Sequence, residues 1–271
     1  MLYHLYNKCS AMSHKYECTK FLGKGKFGKV YVAIHRKTQH TFAMKTESLD
    51  SPMNMLKHET TILYYLSRHF CKHVPRVHWY GVTDHGTTLV MTYYEQSLYD
   101  AMQTKRFSLD HISKIWKLCL DILFSIHREC VIHRDIKPQN FMLKNGELFL
   151  IDFGLATFID NSKEEIKKKE HVLGTPKYMS IFVQSGSEPH KRDDLISLGY
   201  IVLEMAMGQL PWSNVNISTS FEPSTHPNTH ILHPLHQEYV KEKSWERMET
   251  AFSSIEGMME IKLFMKDLYE S

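Results

Sequence analysis

Asp135, Lys137 and Asn140 fall within one short run, HRDIKPQNF over 133–141, and Asp152 follows Asp135 by 17 positions in an Asp-Phe-Gly triplet. A carboxylate that takes a hydroxyl proton, a cation at a transferring phosphoryl group and two hard oxygen ligands are what phosphoryl transfer needs. Asp135 is the candidate base and Lys137 the candidate cation. Asn140 and Asp152 are the candidate ligands of Mg2+, with Mn2+ as an alternative of the same hard character. Asp-Phe-Gly alone is an ordinary turn, and its order and distance after Asp135 are what make it specific. The pattern H-R-D-x-x-x-x-N is met without departure, and chance matches at so many fixed positions are rare.

Upstream, GKGKFGKV over 23–30 reads G-x-G-x-x-G-x-V. Gly23, Gly25 and Gly28 would let the backbone approach phosphate oxygens, because no Cβ intervenes. Alone, the spacing also fits a Rossmann fingerprint or a plain glycine-rich hairpin. The flanks separate these cases. Apolar residues alternate with period two around 30–34 and 42–45, so the glycines lie between strands rather than at the start of a helix. Lys45 closes Phe42-Ala43-Met44-Lys45, 17 positions after Gly28, where a phosphate-pairing lysine is expected. Such a lysine needs a carboxylate to hold it. Glu59 is the candidate, in a helix predicted over 53–66 from Leu56, Ile62, Leu63 and Leu66, although its flank also reads as an ordinary exposed face.

The elements that must position these groups change character along the chain. Strands are expected at 20–22, 30–34, 42–45 and 88–92, and an apolar strand at 148–151 would deliver Asp152 at its end. Beyond 96 the pattern is helical. Ser108 is a plausible N-cap with Asp110 in the first turn, followed by Ile112, Ile115, Trp116, Cys119, Ile122, Leu123 and Ile126 at helical spacing. Further helices are expected at 195–207 and 255–268. The fold class that follows is α+β and bilobal: a β-rich lobe over about 14–92, a hinge at 93–96 and a larger α-helical lobe over 97–271, forming one domain across 1–271.

The totals narrow the function class. A chain of 271 residues with 42% hydrophobic content can bury one large core or two modest ones. Lys and Arg number 33 against 30 acidic residues, a net charge of +3, which gives no support to nucleic acid or an anionic membrane as a partner. Five scattered cysteines without a CxxC pair read as reduced thiols. The first ten residues lack an apolar signal region, and no stretch approaches the roughly 20 apolar residues that span a bilayer. An intracellular protein, cytoplasmic or nuclear, is the expectation. Eighteen histidines form no HExxH or zinc-spaced cluster.

These segments resemble the eukaryotic protein kinase superfamily, and further stretches resemble its casein kinase I family. HRDIKPQNF is close to that family's HRDIKPDNF. GTPKYMSI over 174–181 is similar to GTARYASI, RDDLISLGY over 192–200 to RDDLESLGY, and GQLPW over 208–212 to GSLPW. The likeness spans residues 20–212. It implies a bilobal kinase fold with ATP between the lobes and protein substrates. Leu22, Val30 and Ala43 would line the nucleotide, Met91 would be the gatekeeper, and the backbone of Thr92 and Tyr94 would meet the adenine edge. Thr175 would join Asp135 and Lys137 in a serine/threonine-type site, and Asp194 would anchor the catalytic loop from within a buried helix. The resemblance also implies activity without phosphorylation of the activation segment.

Departures bear on the acceptor. No A-P-E follows Asp152, Phe182 replaces the family's Asn, and Lys191 replaces an Arg that helps bind a phosphate on the substrate. Residues 213–236, where the family is rich in Lys and Arg, contain neither. The run KEEIKKKE over 163–170 reads either as a solvated mixed-charge loop or as a basic patch for acidic substrates. The competing readings are a catalytically silent scaffold and a small-molecule phosphotransferase. The intact Lys45, Asp135, Asn140 and Asp152 oppose the first, and the 174–181 and 192–200 stretches oppose the second.

Overall fold

The computed structural model describes residues 14–25, 28–51, 54–83, 86–159, 173–213 and 234–271. The expectations for 163–170 and most of 213–236 lie outside them. Two compact units emerge. The first runs to Leu98 and takes in Asn140–Ala156, and the second comprises Tyr99–Gln139 and the chain from Thr157 onward. One is sheet-rich and the other helical, the α+β class expected.

In the first unit, β1 (Tyr16–Gly25), β2 (Gly28–His35), β3 (Thr41–Glu47), β4 (Val77–Thr83) and β5 (Gly86–Thr92) form an antiparallel sheet in the order β1-β2-β3-β5-β4. Period-two alternation sends their side chains to opposite faces. One face holds a core of Tyr16, Ala33, Met44 and Val90, with Tyr31, Phe42 and Trp79 packed on it. The other carries two cross-strand rows, Val30–Lys45–Leu89 and Val32–Ala43–Met91. Four of the candidate nucleotide residues thus share one face because register and pleat put them there. The strand β4 was not anticipated. Its burial does not alternate, since Tyr80 and Gly81 are both buried, so no period of two marks it.

Helix α1 (Met55–Arg68) buries Leu56, Glu59, Ile62, Leu63 and Leu66, close to the predicted span. Its N-cap Asn54 is left-handed and makes no side-chain cap. Glu47, at the end of β3, takes over that task. Its carboxylate accepts the N–H groups of Met55 at 3.1 Å and Leu56 at 2.9 Å, and the Ser51 hydroxyl at 2.7 Å. Two N-terminal amides of the helix are thereby satisfied, and the anion sits at the positive end of the dipole. A second sheet joins β6 (Gln96–Ser97) with β8 (Phe141–Lys144) and β9 (Glu147–Leu150).

In the second unit, α2 (Leu98–Thr104) precedes α3 (Leu109–Arg128). Ser108 caps α3 by accepting the His111 N–H, with Asp110 in the first turn as expected. The predicted apolar face is buried except for Ile115, which is half-buried. Strand β7 (Val131–Ile132) pairs with β10 (Thr157–Phe158). The helices α4 (Ile181–Gln184), α5 (Lys191–Met207), α6 (Pro234–Glu242), α7 (Trp245–Ser253) and α8 (Met259–Glu270) follow.

Helix α5 starts before the expected 195, because Asp193 accepts the His190 N–H at 2.6 Å and stabilises the first turn. It ends at Gly208, whose φ of 84° closes the helix in a left-handed turn. Its centre is buried on all sides, and a Cβ on Gly199 would lie 2.1 Å from Met265 Sδ of α8. The helix expected over 255–268 is α8, which starts four residues later, at Met259. Gly257, at φ 83°, breaks the pattern, and α7 and α8 flank the break. No helix among the described residues is long and apolar enough to cross a membrane.

Candidate active site

Lys45 is held by two carboxylates. Its ammonium lies 2.7 Å from Glu59 Oε2 and 2.7 Å from Asp152 Oδ1. Both Lys45 and Glu59 are buried, so the strand, the helix and the Asp-Phe-Gly segment converge on one ion-pair network inside the first unit. Burial alone would push the lysine down, but the two carboxylates outweigh it and hold it above its ordinary value. Burial raises Glu59, against the pull of the Lys45 charge. Glu47 lies two residues from Lys45 on the same face of β3, so one strand both starts α1 and supplies the cation that grips it.

Two of the three loop glycines, Gly23 and Gly28, differ. Gly28 is required by packing: a Cβ there would lie 2.2 Å from the Thr46 carbonyl oxygen. At Gly23 a Cβ would meet nothing within 4 Å. The chain itself does not demand glycine at 23, which fits a position kept open for a ligand. Leu22 sits on a bulge of β1 between Phe21 and Gly23 and is 44% exposed. Ala43 and Met91 are buried neighbours across β3 and β5. The Thr92 N–H donates to the Arg76 carbonyl at 3.1 Å, so Thr92 has no backbone donor to offer adenine. Tyr94 is buried with its ring 4.9 Å from Phe149.

Asn140 and Asp152 both belong to the first unit, and a backbone bond from the Ile151 N–H to the Asn140 carbonyl at 2.9 Å brings their segments side by side. An amide oxygen and a carboxylate oxygen suit a hard divalent cation. Among the described residues no group of three or more His, Cys, Asp or Glu is arranged to hold a metal. An ion held by these two oxygens would complete its shell with phosphates and water.

In the second unit, Asp135, Lys137 and Thr175 form a closed triangle. Thr175 donates to Asp135 Oδ1 at 2.6 Å, and Lys137 donates to Asp135 Oδ2 at 2.6 Å and to Thr175 Oγ1 at 3.2 Å. Asp194 holds the loop beneath. Its oxygens accept the N–H groups of His133 at 2.8 Å and Arg134 at 2.9 Å, and the His127 ring at 2.8 Å. Complete burial would raise Asp194, but the His127 ring and those amides keep it below its ordinary value. Arg134 is held at φ 69° and Asp152 at φ 66°, a left-handed region that costs a non-glycine residue of order 1–3 kcal/mol. Strain at both functional segments is retained because the contacts around them over-determine it.

The segment after Thr175 is tied to α5. Glu204 accepts Lys177 at 2.5 Å and the Tyr178 hydroxyl at 2.6 Å, and Trp212 donates to the Lys177 carbonyl at 2.8 Å. Ser180 caps α4 and donates to Asp193 at 2.5 Å. Burial pushes the Asp193 carboxyl up to about 6, against the Ser180 and His190 bonds. Phe182 stacks on the Arg192 guanidinium at 3.9 Å. Of these supports only Asp194 was foreseen. Glu47, His127 and Glu204 stand in no motif, and only their burial in the fold reveals them.

The model of the protein kinase domain matches residues 16–270. The chain belongs to that family, which is defined by phosphotransferase activity, nucleotide and divalent-metal use and protein substrates.

Proposed function

We propose that this protein kinase is a catalytically active serine/threonine enzyme of casein kinase I type, competent without modification of its activation segment. The observation that carries this reading is the Asp135–Lys137–Thr175 triangle, in which a buried carboxylate already accepts a hydroxyl donor. An incoming serine or threonine hydroxyl would donate to Asp135 in the same way. Asp135 would take the proton as the acceptor oxygen bonds to the γ-phosphorus, and the bond to ADP breaks. Lys137 would stabilise charge on the transferring oxygens. Lys45, fixed by Glu59, would hold the nucleotide phosphates. A divalent cation, for which Mg2+ is the proposal, would neutralise phosphate charge when bound by Asn140 and Asp152. The formed Lys45–Glu59 pair supports competence without a switch. An intracellular setting accords with the unpatterned thiols.

The test is phosphate transfer from Mg2+-ATP to casein, with phosphoamino-acid analysis and Asp135→Asn as control. Transfer to Ser and Thr that falls about 10²–10⁴-fold in the variant is expected for loss of a general base. Equal signal from both proteins would support the silent-scaffold reading instead.

A further inference from the structure

Lys243 lies between α6 and α7 and is completely buried. Its ammonium donates to the carbonyls of Pro176 at 2.8 Å and Met179 at 2.7 Å and to Gln184 Oε1 at 2.8 Å. All three acceptors are uncharged. The rings of Tyr239, Tyr200 and Trp212 surround it, with centroids 4.9, 5.2 and 5.3 Å away. Its backbone is pinned as well: its N–H donates to Tyr239, and its carbonyl accepts the Tyr269 hydroxyl at 3.0 Å.

A buried charge is costly unless each of its donors finds an acceptor. Burial with no carboxylate beside it pushes the Lys243 amine well below its ordinary value, and against that stand three oxygens, one for each N–H of an ammonium, and three aromatic rings that complement a positive charge. A neutral amine has two N–H groups and would leave one oxygen unmet. An apolar side chain of equal volume would strand all three. Two of those oxygens are backbone atoms one and four residues after Thr175, in the segment that lacks the A-P-E element. Glu204 and Trp212 hold the same segment from α5 and its C-terminal side.

We infer that Lys243 is a positioning residue for the acceptor site, clamping the carbonyls of Pro176 and Met179 and so the turn that carries Thr175 onto Asp135. The inference rests on the reading of 175–184 as the acceptor platform. The hydrogen bonds of the Lys243 side chain go to Pro176, Met179 and Gln184, all in the acceptor segment. Its loss is therefore expected in acceptor binding and not in ATP handling.

The experiment compares wild type, Lys243→Met and Gln184→Leu, the last removing one acceptor only. KM for casein should rise about tenfold or more in Lys243→Met and about threefold in Gln184→Leu, with KM for ATP and acceptor-independent ATP hydrolysis within about twofold of wild type. Amide hydrogen exchange at 177–184 should accelerate in both variants while exchange in α3 stays unchanged. Parallel loss of casein transfer and ATP hydrolysis in Gln184→Leu would reduce Lys243 to general fold support and overturn the proposal. So would unchanged casein KM together with unchanged exchange. Should Lys243→Met fail to fold, Gln184→Leu decides alone. If wild type transfers no phosphate at all, the kinase reading fails separately, and local exchange still tests the clamp.

Discussion

Asp194 accepts the backbone N–H of His133 at 2.8 Å across 61 residues of sequence, and both residues are buried. The same carboxylate accepts Arg134 and the His127 ring, so one side chain of α5 sets the loop that presents Asp135. Replacing Asp194 by Ala strands the buried His133 amide, the partly buried Arg134 amide and the imidazole. The expected loss is about 3–5 kcal/mol of unfolding free energy, because partners of a buried ionic network are left unpaired. Urea unfolding measures it, and a loss below about 1 kcal/mol would mean that water replaces the carboxylate.

Gly28 and Gly23 should part company. Gly28→Ala drives a Cβ onto the Thr46 carbonyl and is expected to cost about 1–3 kcal/mol of stability. Gly23→Ala meets nothing and should stay within about 0.5 kcal/mol of wild type. If 23 lies over phosphates, that variant nevertheless raises KM for ATP. Thermal unfolding and ATP titration of the two variants read these effects separately.

Lys45 and Glu59 should couple strongly. Lys45→Met leaves Glu59 buried without its cation and is expected to cost about 3–5 kcal/mol, much of it regained in Lys45→Met combined with Glu59→Leu. A double-mutant cycle by urea unfolding checks this. Additive losses would show that the pair is not a unit.

Asp193 predicts a pH dependence with a definite sign. Its folded carboxyl is pushed up to about 6, above the unfolded value of 3.8, so the native state holds the proton more tightly. That contribution is complete below 3.8 and is lost as pH rises through about 6. Unfolding free energy of wild type relative to Asp193→Asn should therefore fall between pH 4 and 6 and level off above. A difference that rises over that window would overturn the assignment.

Glu47→Gln keeps one acceptor for two helix amides and removes the charge at the start of α1. A loss of about 1–2 kcal/mol is expected, the scale of a helix cap. Hydrogen exchange at Met55 and Leu56 should accelerate ahead of exchange in β5. Uniform acceleration would argue against a local cap.

The chemistry of this protein was legible in its sequence because catalytic groups and glycines recur at fixed local spacings. Lys45, Asp135, Asn140 and Asp152 could be named from the residues around them. The alternation of β2 and β3 and the apolar face of α3 were likewise visible, since pleat and helix pitch are local properties. What stayed hidden depends on contacts between distant segments. The strand β4 shows no alternation, since the adjacent Tyr80 and Gly81 are both buried, and Gly257 delays the start of a predicted helix through its positive φ. Glu47, His127, Glu204 and Lys243 look like any surface residue in a sequence. Tertiary packing alone buries them, and once buried each must satisfy its polar atoms on a particular partner. That requirement is what determines the position of α1, the shape of the Asp135 loop and the fixed turn after Thr175.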